Sequence, residues 1–217
     1  MHLIRSVLIL CFVQPCSLGE GGGNLILGGP QTAQIHTSCE AYYPLSLGNN
    51  WTYEGIAVTA VPAGSGVTWR VDKVIQKGGR NVFWLWPKPT DGDEEHRRLM
   101  VSKSGVTEVD DSGVEYYVLK CPPQIGESWH VTPPDQSSTE RAFKILSLSK
   151  TCRVREFRFR DCVKVEEDRG ATNLRIVTTY GKHVGPVRIE YYAPAGQGKA
   201  KKLLQAVELK SYEIRNQ

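Results

Sequence analysis

The acidic stretch Asp91-Gly92-Asp93-Glu94-Glu95-His96 is the first place in this sequence where residue type and spacing could hold a metal. Hard cations take several oxygen ligands, and Asp91, Asp93 and Glu95 alternate as a binding loop would require. No bidentate acid follows at calcium-loop spacing, so the stretch reads as a solvated hairpin tip. His36, His96, His130 and His183 are scattered along the chain. General acid–base work needs a histidine within reach of a nucleophile and an orienting carboxylate. No serine sits in a nucleophile-elbow pattern and no His-Glu-x-x-His occurs. No catalytic residue, metal or cofactor is therefore assigned, and the chain is read as non-enzymatic.

Two further groups suit binding rather than catalysis. Trp69, Trp84 and Trp86 flank Gly78-Gly79, and strand parity puts Trp84 and Trp86 on one face. Aromatic pairs on a sheet usually fill a core; exposed, these three would form a platform for sugar or lipid. Arg153, Arg155, Arg158, Arg160 and Lys164 could make a stripe for anionic head groups. Glu156, Asp161, Glu166 and Glu167 lie close by in sequence and are expected to neutralise it, leaving a charged edge that resists sheet-to-sheet pairing.

The cysteines tie these residues to a compartment. Of six, Cys11 and Cys16 fall in an N-terminal leader, leaving Cys39, Cys121, Cys152 and Cys162. Their spacing is not that of a zinc site, and four cysteines in an oxidising compartment allow three pairings. Arg153, Arg155, Phe157 and Phe159 share one parity, so a continuous strand would mix arginine and phenylalanine on one face. A reversal near Glu156 to Arg158 removes that conflict and brings Cys152 to Cys162, which leaves Cys39 and Cys121 as the remaining candidates.

The leader carries Arg5 and then the apolar run Ser6 to Val13, closed by Pro15, with Ser17-Leu18-Gly19 where a signal peptidase would read small residues. The run is too short to span a bilayer. Residues 1–19 are read as a signal peptide, with lipidation at Cys16 as the alternative, and residues 20–38, rich in glycine, as a flexible linker. Residues 39–217 form the domain. Its charge is mild: of a formal +4 for the whole chain only Arg5 lies in the leader. That excess is too small to imply a nucleic-acid partner, which calls for a clustered basic face rather than a mild global bias.

Within the domain the signals are of strands. Thr68 to Ile75 alternates apolar and polar residues, Gly78-Gly79 reverses the chain, and Asn81 to Trp86 returns. Further short runs follow: Arg98 to Val101, Val106 to Val109, Val114 to Lys120, Ala142 to Leu148, Cys152 to Arg155, Phe159 to Glu166, Asn173 to Tyr180, Val187 to Tyr192 and Leu203 to Ile214. Only Gly198 to Val207 offers a short helix or turn. The expectation is an all-β domain, a single antiparallel curved sheet or half barrel.

The motif order resembles a family of exported bacterial proteins of unknown function. Its opening stretch is matched by Tyr42-Tyr43-Pro44-Leu45-Ser46-Leu47-Gly48-Asn49-Asn50-Trp51-Thr52-Tyr53, and its mid-chain stretch by Phe159-Arg160-Asp161-Cys162-Val163-Lys164-Val165. Val184-Gly185-Pro186-Val187 and Glu208-Leu209-Lys210-Ser211-Tyr212 match later pieces. The resemblance implies a curved-sheet domain of the bacterial envelope, similar in outline to half-barrel proteins that hold apolar ligands or contact partner proteins. It brings no catalytic residues. The functional expectation is an envelope protein, in the periplasm or at the cell surface, that binds an apolar ligand or a partner protein. The alternatives are an assembly component working through a sheet edge and a hydrolase of envelope lipid or glycan.

Overall fold

The structure is a computed structural model that describes residues 38–56, 66–88, 96–132, 140–172, 174–193 and 202–215. The leader, the linker up to residue 37, Cys16, His36 and the acidic residues 91–95 lie outside the described residues. Residues His36–Gln217 make one compact unit.

Twelve strands are described: β1 (Asn50–Ile56), β2 (Gly66–Lys77), β3 (Arg80–Lys88), β4 (Arg97–Val101), β5 (Gly105–Val109), β6 (Glu115–Lys120), β7 (Ser128–Val131), β8 (Arg141–Val154), β9 (Phe157–Arg169), β10 (Leu174–Gly181), β11 (Gly185–Tyr192) and β12 (Leu203–Glu213). Among the described residues the only other elements are three-residue 3-10 turns, Cys39–Ala41 and Gly170–Thr172. The strands arise where the pattern demands: in β1 every second residue is buried, Trp51 and Tyr53 among them, the period of a sheet with one face in a core. Gly78 and Gly79 both hold positive φ, 56° and 74°, and turn β2 into β3.

All pairings are antiparallel, and the order across the sheet is β6-β5-β4-β3-β2-β1-β12-β11-β10-β9-β8-β7. That is chain order wrapped into a circle, with the join at β1–β12 and the break at β6/β7. Residues from strands far apart in this order meet. Trp129 of β7 donates its indole N–H to the Tyr117 carbonyl of β6 (2.8 Å), and Arg141 of β8 reaches the Tyr116 hydroxyl of β6 (2.6 Å). The sheet is therefore curled into a nearly closed barrel whose last seam is bridged by side chains instead of a ladder. Stacking of Phe143 on both Trp129 and Tyr116 fills that seam.

One end of the barrel is plugged by the segment that precedes β1. Cys39 is bonded to Cys121 at the end of β6. Tyr43 packs edge-on against Trp51 and Tyr180. Asn49, fully buried, donates to the Pro44 carbonyl and accepts from the Arg215 N–H, so its polar ends are satisfied. The Trp51 indole donates to the Val184 carbonyl and the Tyr53 hydroxyl to Pro186. The Tyr-Tyr-Pro to Trp-Thr-Tyr stretch is thus a stopper and the first strand it rests on.

Three sequence expectations change. The four-residue β7 is an additional strand. Ala142–Leu148 and Cys152–Arg155 are not two strands but one, β8, whose middle is exposed and so lacks an apolar alternation. The reversal sits at Arg155-Glu156, since Val154 pairs with Phe157, with Arg155 at φ 54°. The strand expected from Leu203 is present as β12, so the helix alternative does not hold over Leu203 to Val207.

A close approach on the outer surface yields a first test. A Cβ on Gly105 would lie 2.3 Å from the Tyr117 ring and 2.9 Å from the Leu119 carbonyl. The ring can swing out, but the carbonyl belongs to the paired strand. Gly105→Ala is expected to cost about 2 kcal/mol by overpacking, measured by urea denaturation.

Candidate functional site

Inside the barrel, charged side chains stand on the face that should be wholly apolar. Phe83, Leu99, Glu108 and Tyr116 form one row across β3 to β6, so Glu108 points inward with three buried neighbours. Arg97, two residues before Leu99, shares its face, and its Nε donates to Glu108 Oε1 at 3.2 Å while Nη2 donates to Oε2. Across the barrel, Val163, Val165, Glu167 and Arg169 of β9 share a face. The Arg169 Nε donates to Glu167 Oε1 (2.7 Å), and Arg141 reaches the same oxygen (3.3 Å).

These pairs border a lumen of about 340 Å³, walled by Trp69, Val118, Phe143, Val165, Ile176 and Ile189, with Thr178, Tyr180 and Tyr191. Its walls come from β2, β4, β5, β6, β8, β9, β10 and β11, as only a curled sheet allows. Arg97 and Glu108 keep 29% and 18% of their side-chain surface accessible; they line a space and are not sealed in a core. Three guanidinium groups (Arg97, Arg141, Arg169) face two carboxylates (Glu108, Glu167), an excess of one positive charge.

Arg97, Glu108 and Arg169 of this belt have displaced proton affinities. Burial pushes the Glu108 carboxyl up, but the charge and hydrogen bonds of Arg97, with Arg141 and Arg169 beyond, outweigh it and hold it below its ordinary value. Burial works against the charged Arg97 and Arg169, yet Glu108 and Glu167 respectively keep both firmly protonated. Burial pushes the Tyr43 hydroxyl up to about 12 and raises Tyr180 and Tyr191 as well. Every group whose proton affinity is displaced moves away from neutrality. No histidine, serine or cysteine is among the lining residues. The arrangement can orient a polar group by charge and hydrogen bonds.

The candidate platform is divided. Trp69 lies on the inner face, opposite Trp51 in register, and lines the lumen. Trp84 and Trp86 lie together on the outer face, centroids 6.2 Å apart. His96 stacks on both, at 4.4 and 4.8 Å, and Lys73 and Arg98 approach the Trp84 ring. His130 and His183 are exposed on β7 and in the β10–β11 turn, far from any shared centre. Cys152 is bonded to Cys162. Among the described residues no cluster of three or more metal-ligating side chains occurs, and no helix is long and apolar enough to cross a membrane.

A larger depression of about 840 Å³ lies between residues 40–46, the β2–β3 turn and β4–β6. Glu40, Arg80 and Arg215 line it, but the two arginines pair with Glu115 and Glu213 and not across the depression. The charges of the lumen interlock, so the lumen is the better candidate. Sequence reasoning passed over Arg97, Glu108, Glu167 and Arg169. Their signal was parity: Arg97-x-Leu99-x-Val101, Val106-x-Glu108 and Val163-x-Val165-x-Glu167-x-Arg169 each put charge on an apolar face.

No protein-family model matches this chain, and no curated protein matches it. Among solved structures it is similar to a protein from Bacteroides fragilis NCTC 9343 assigned as exported and having a YmcC-like fold. The two are 12% identical, over 79% of this chain and 98% of the other, with a TM-score of 0.46. It is also similar to a protein from Parabacteroides distasonis ATCC 8503 assigned as a lipoprotein, 12% identical over 82% of this chain and all of the other, TM-score 0.45. Neither likeness carries a residue role to this chain.

Proposed function

We propose that this protein is a non-enzymatic binding protein of the bacterial envelope whose lumen holds one small ligand with an apolar body and an anionic or hydrogen-bond-accepting head. The observation that supports this reading is the lumen itself, about 340 Å³ with an aromatic and aliphatic wall and a belt of arginines in excess over carboxylates. Ligand pockets combine such walls with a few convergent polar groups that set orientation. The apolar ligand expected from sequence is thereby narrowed to an amphipathic one. The leader sequence supports export, and the two disulfides suit an oxidising compartment.

Native mass spectrometry of the protein purified from its own cells tests the reading. A bound small molecule is expected, and Thr178→Trp, which fills the lumen, should abolish the adduct while leaving the thermal midpoint within a few degrees. A clean unliganded mass, or an adduct indifferent to Thr178→Trp, would overturn it.

A further inference from the structure

Strand β8 is fourteen residues long, but β7 pairs with only Arg141–Lys144. Two more backbone bonds hold Gly126 and Glu127 to Ile145. Beyond Ile145 no described strand lies on that side, while the other side pairs with β9 as far as Val154. Leu148, Ser149, Lys150, Thr151 and Arg153 are exposed, Leu148 at 40%. Every second residue of this edge directs a backbone N–H and C=O away from the sheet, a template for another strand.

The charge beside that edge is unbalanced. Arg153 stands opposite Arg158, and Thr151 opposite Arg160, so three arginines share one face of the β8–β9 ribbon, where like charges opposite one another destabilise the ladder. Of the acids that sequence placed nearby, Glu156 is exposed in the turn and forms no ion pair with these arginines among the described residues, and the other three serve elsewhere. Asp161 pairs with Lys182, Glu166 with Arg175, and Glu167 with Arg141 and Arg169. Arg155 is drawn off too, to Glu54 of β1 and Glu208 of β12. Among the described residues Arg153, Arg158 and Arg160 have no acidic partner.

We propose that the outer edge of β8 from Ser147 to Arg153 docks an extended acidic peptide segment of a partner protein. The segment adds as a strand, and its alternate carboxylates meet Arg153, Arg158 and Arg160. Backbone bonds supply affinity and the charges supply selectivity, the usual division in strand addition. A second copy of this chain is a poor occupant, because it would bring a second set of Arg153, Arg158 and Arg160 to a face that already carries three unpaired arginines. An anionic lipid surface would satisfy the arginines but make no use of the edge backbone, which water would go on solvating.

The test uses a capped peptide of about ten residues alternating Glu and Val, a strand's length. Two companions are the same peptide methylated on alternate backbone nitrogens facing β8 and one with Lys for Glu. Binding is followed by calorimetry and by amide shifts across Ser147–Arg153. The acidic peptide should bind and shift those amides, and the methylated and lysine versions should bind roughly tenfold weaker or not at all. The triple variant Arg153→Glu/Arg158→Glu/Arg160→Glu should lose a similar factor with an unchanged circular dichroism spectrum. Equal binding of the methylated peptide would reduce the site to bare charge and overturn the proposal. So would binding to phosphatidylglycerol vesicles without peptide binding, or concentration-dependent self-association shifting the same amides.

Discussion

Arg97→Met should destabilise the fold by about 3 kcal/mol, because it leaves the Glu108 carboxylate facing the lumen without its bidentate partner. The double replacement Arg97→Met/Glu108→Leu should recover most of that loss, since an apolar pair of similar volume removes both charges. Urea denaturation of the four members of the cycle measures the coupling. The pH dependence separates this cause from packing. In the natural protein Glu108 titrates below its ordinary value of 4.5. Its contribution is complete above the unfolded-state pKa and lost as pH falls through the lower folded-state value. In Arg97→Met burial dominates, the carboxyl titrates above 4.5, and protonating it relieves the folded state. The stability gap between the two proteins should therefore shrink as pH drops below about 5. A gap that stays constant would assign the cost to packing.

Removing the Cys39–Cys121 bond by a double Ser replacement should cost about 4.5 kcal/mol, against about 2.7 kcal/mol for Cys152–Cys162. The difference follows from sequence separations of 82 and 10: the longer loop restrains far more of the unfolded chain. The first bond also holds the stopper segment against the end of β6, beside the side-chain seam. Its loss should admit water to the plugged end, seen as faster amide exchange at Tyr42, Tyr43 and Val106. Thermal and urea denaturation of the two variants check the order; equal losses would contradict it.

The fold was legible wherever one face of a strand is buried, because alternation is then enforced residue by residue. Trp51 and Tyr53 announce β1 in this way, and Gly78-Gly79 announces the following hairpin. It was illegible where burial stops. Leu148 to Thr151 face solvent on an unpaired edge, so nothing in their order separates a long strand from two short ones. Ser128–Val131 is too short for a period and is defined by what Trp129 touches, Phe143 and the Tyr117 carbonyl. The lumen charges were individually readable by parity. Their convergence was not, because Arg97 and Glu167 lie seventy positions apart and meet only when the sheet curls. The charge on the β8–β9 ribbon was misjudged for the same reason: nearness in sequence does not make Asp161, Glu166 and Glu167 the partners of the arginines beside them.

The circular strand order has a consequence for the way the chain folds as it emerges. Strands β1 to β6 and β7 to β12 are each a run of neighbour-to-neighbour hairpins, which close quickly because little loop entropy is lost. The ladder that unites the runs, β1 with β12, joins residues as far apart as Asn50 and Glu213. Until β12 has left the ribosome or a translocation pore, β1 remains an open flank with Trp51 and Tyr53 uncovered. The first strand made must wait for the last, and that waiting time is when this protein most needs a chaperone.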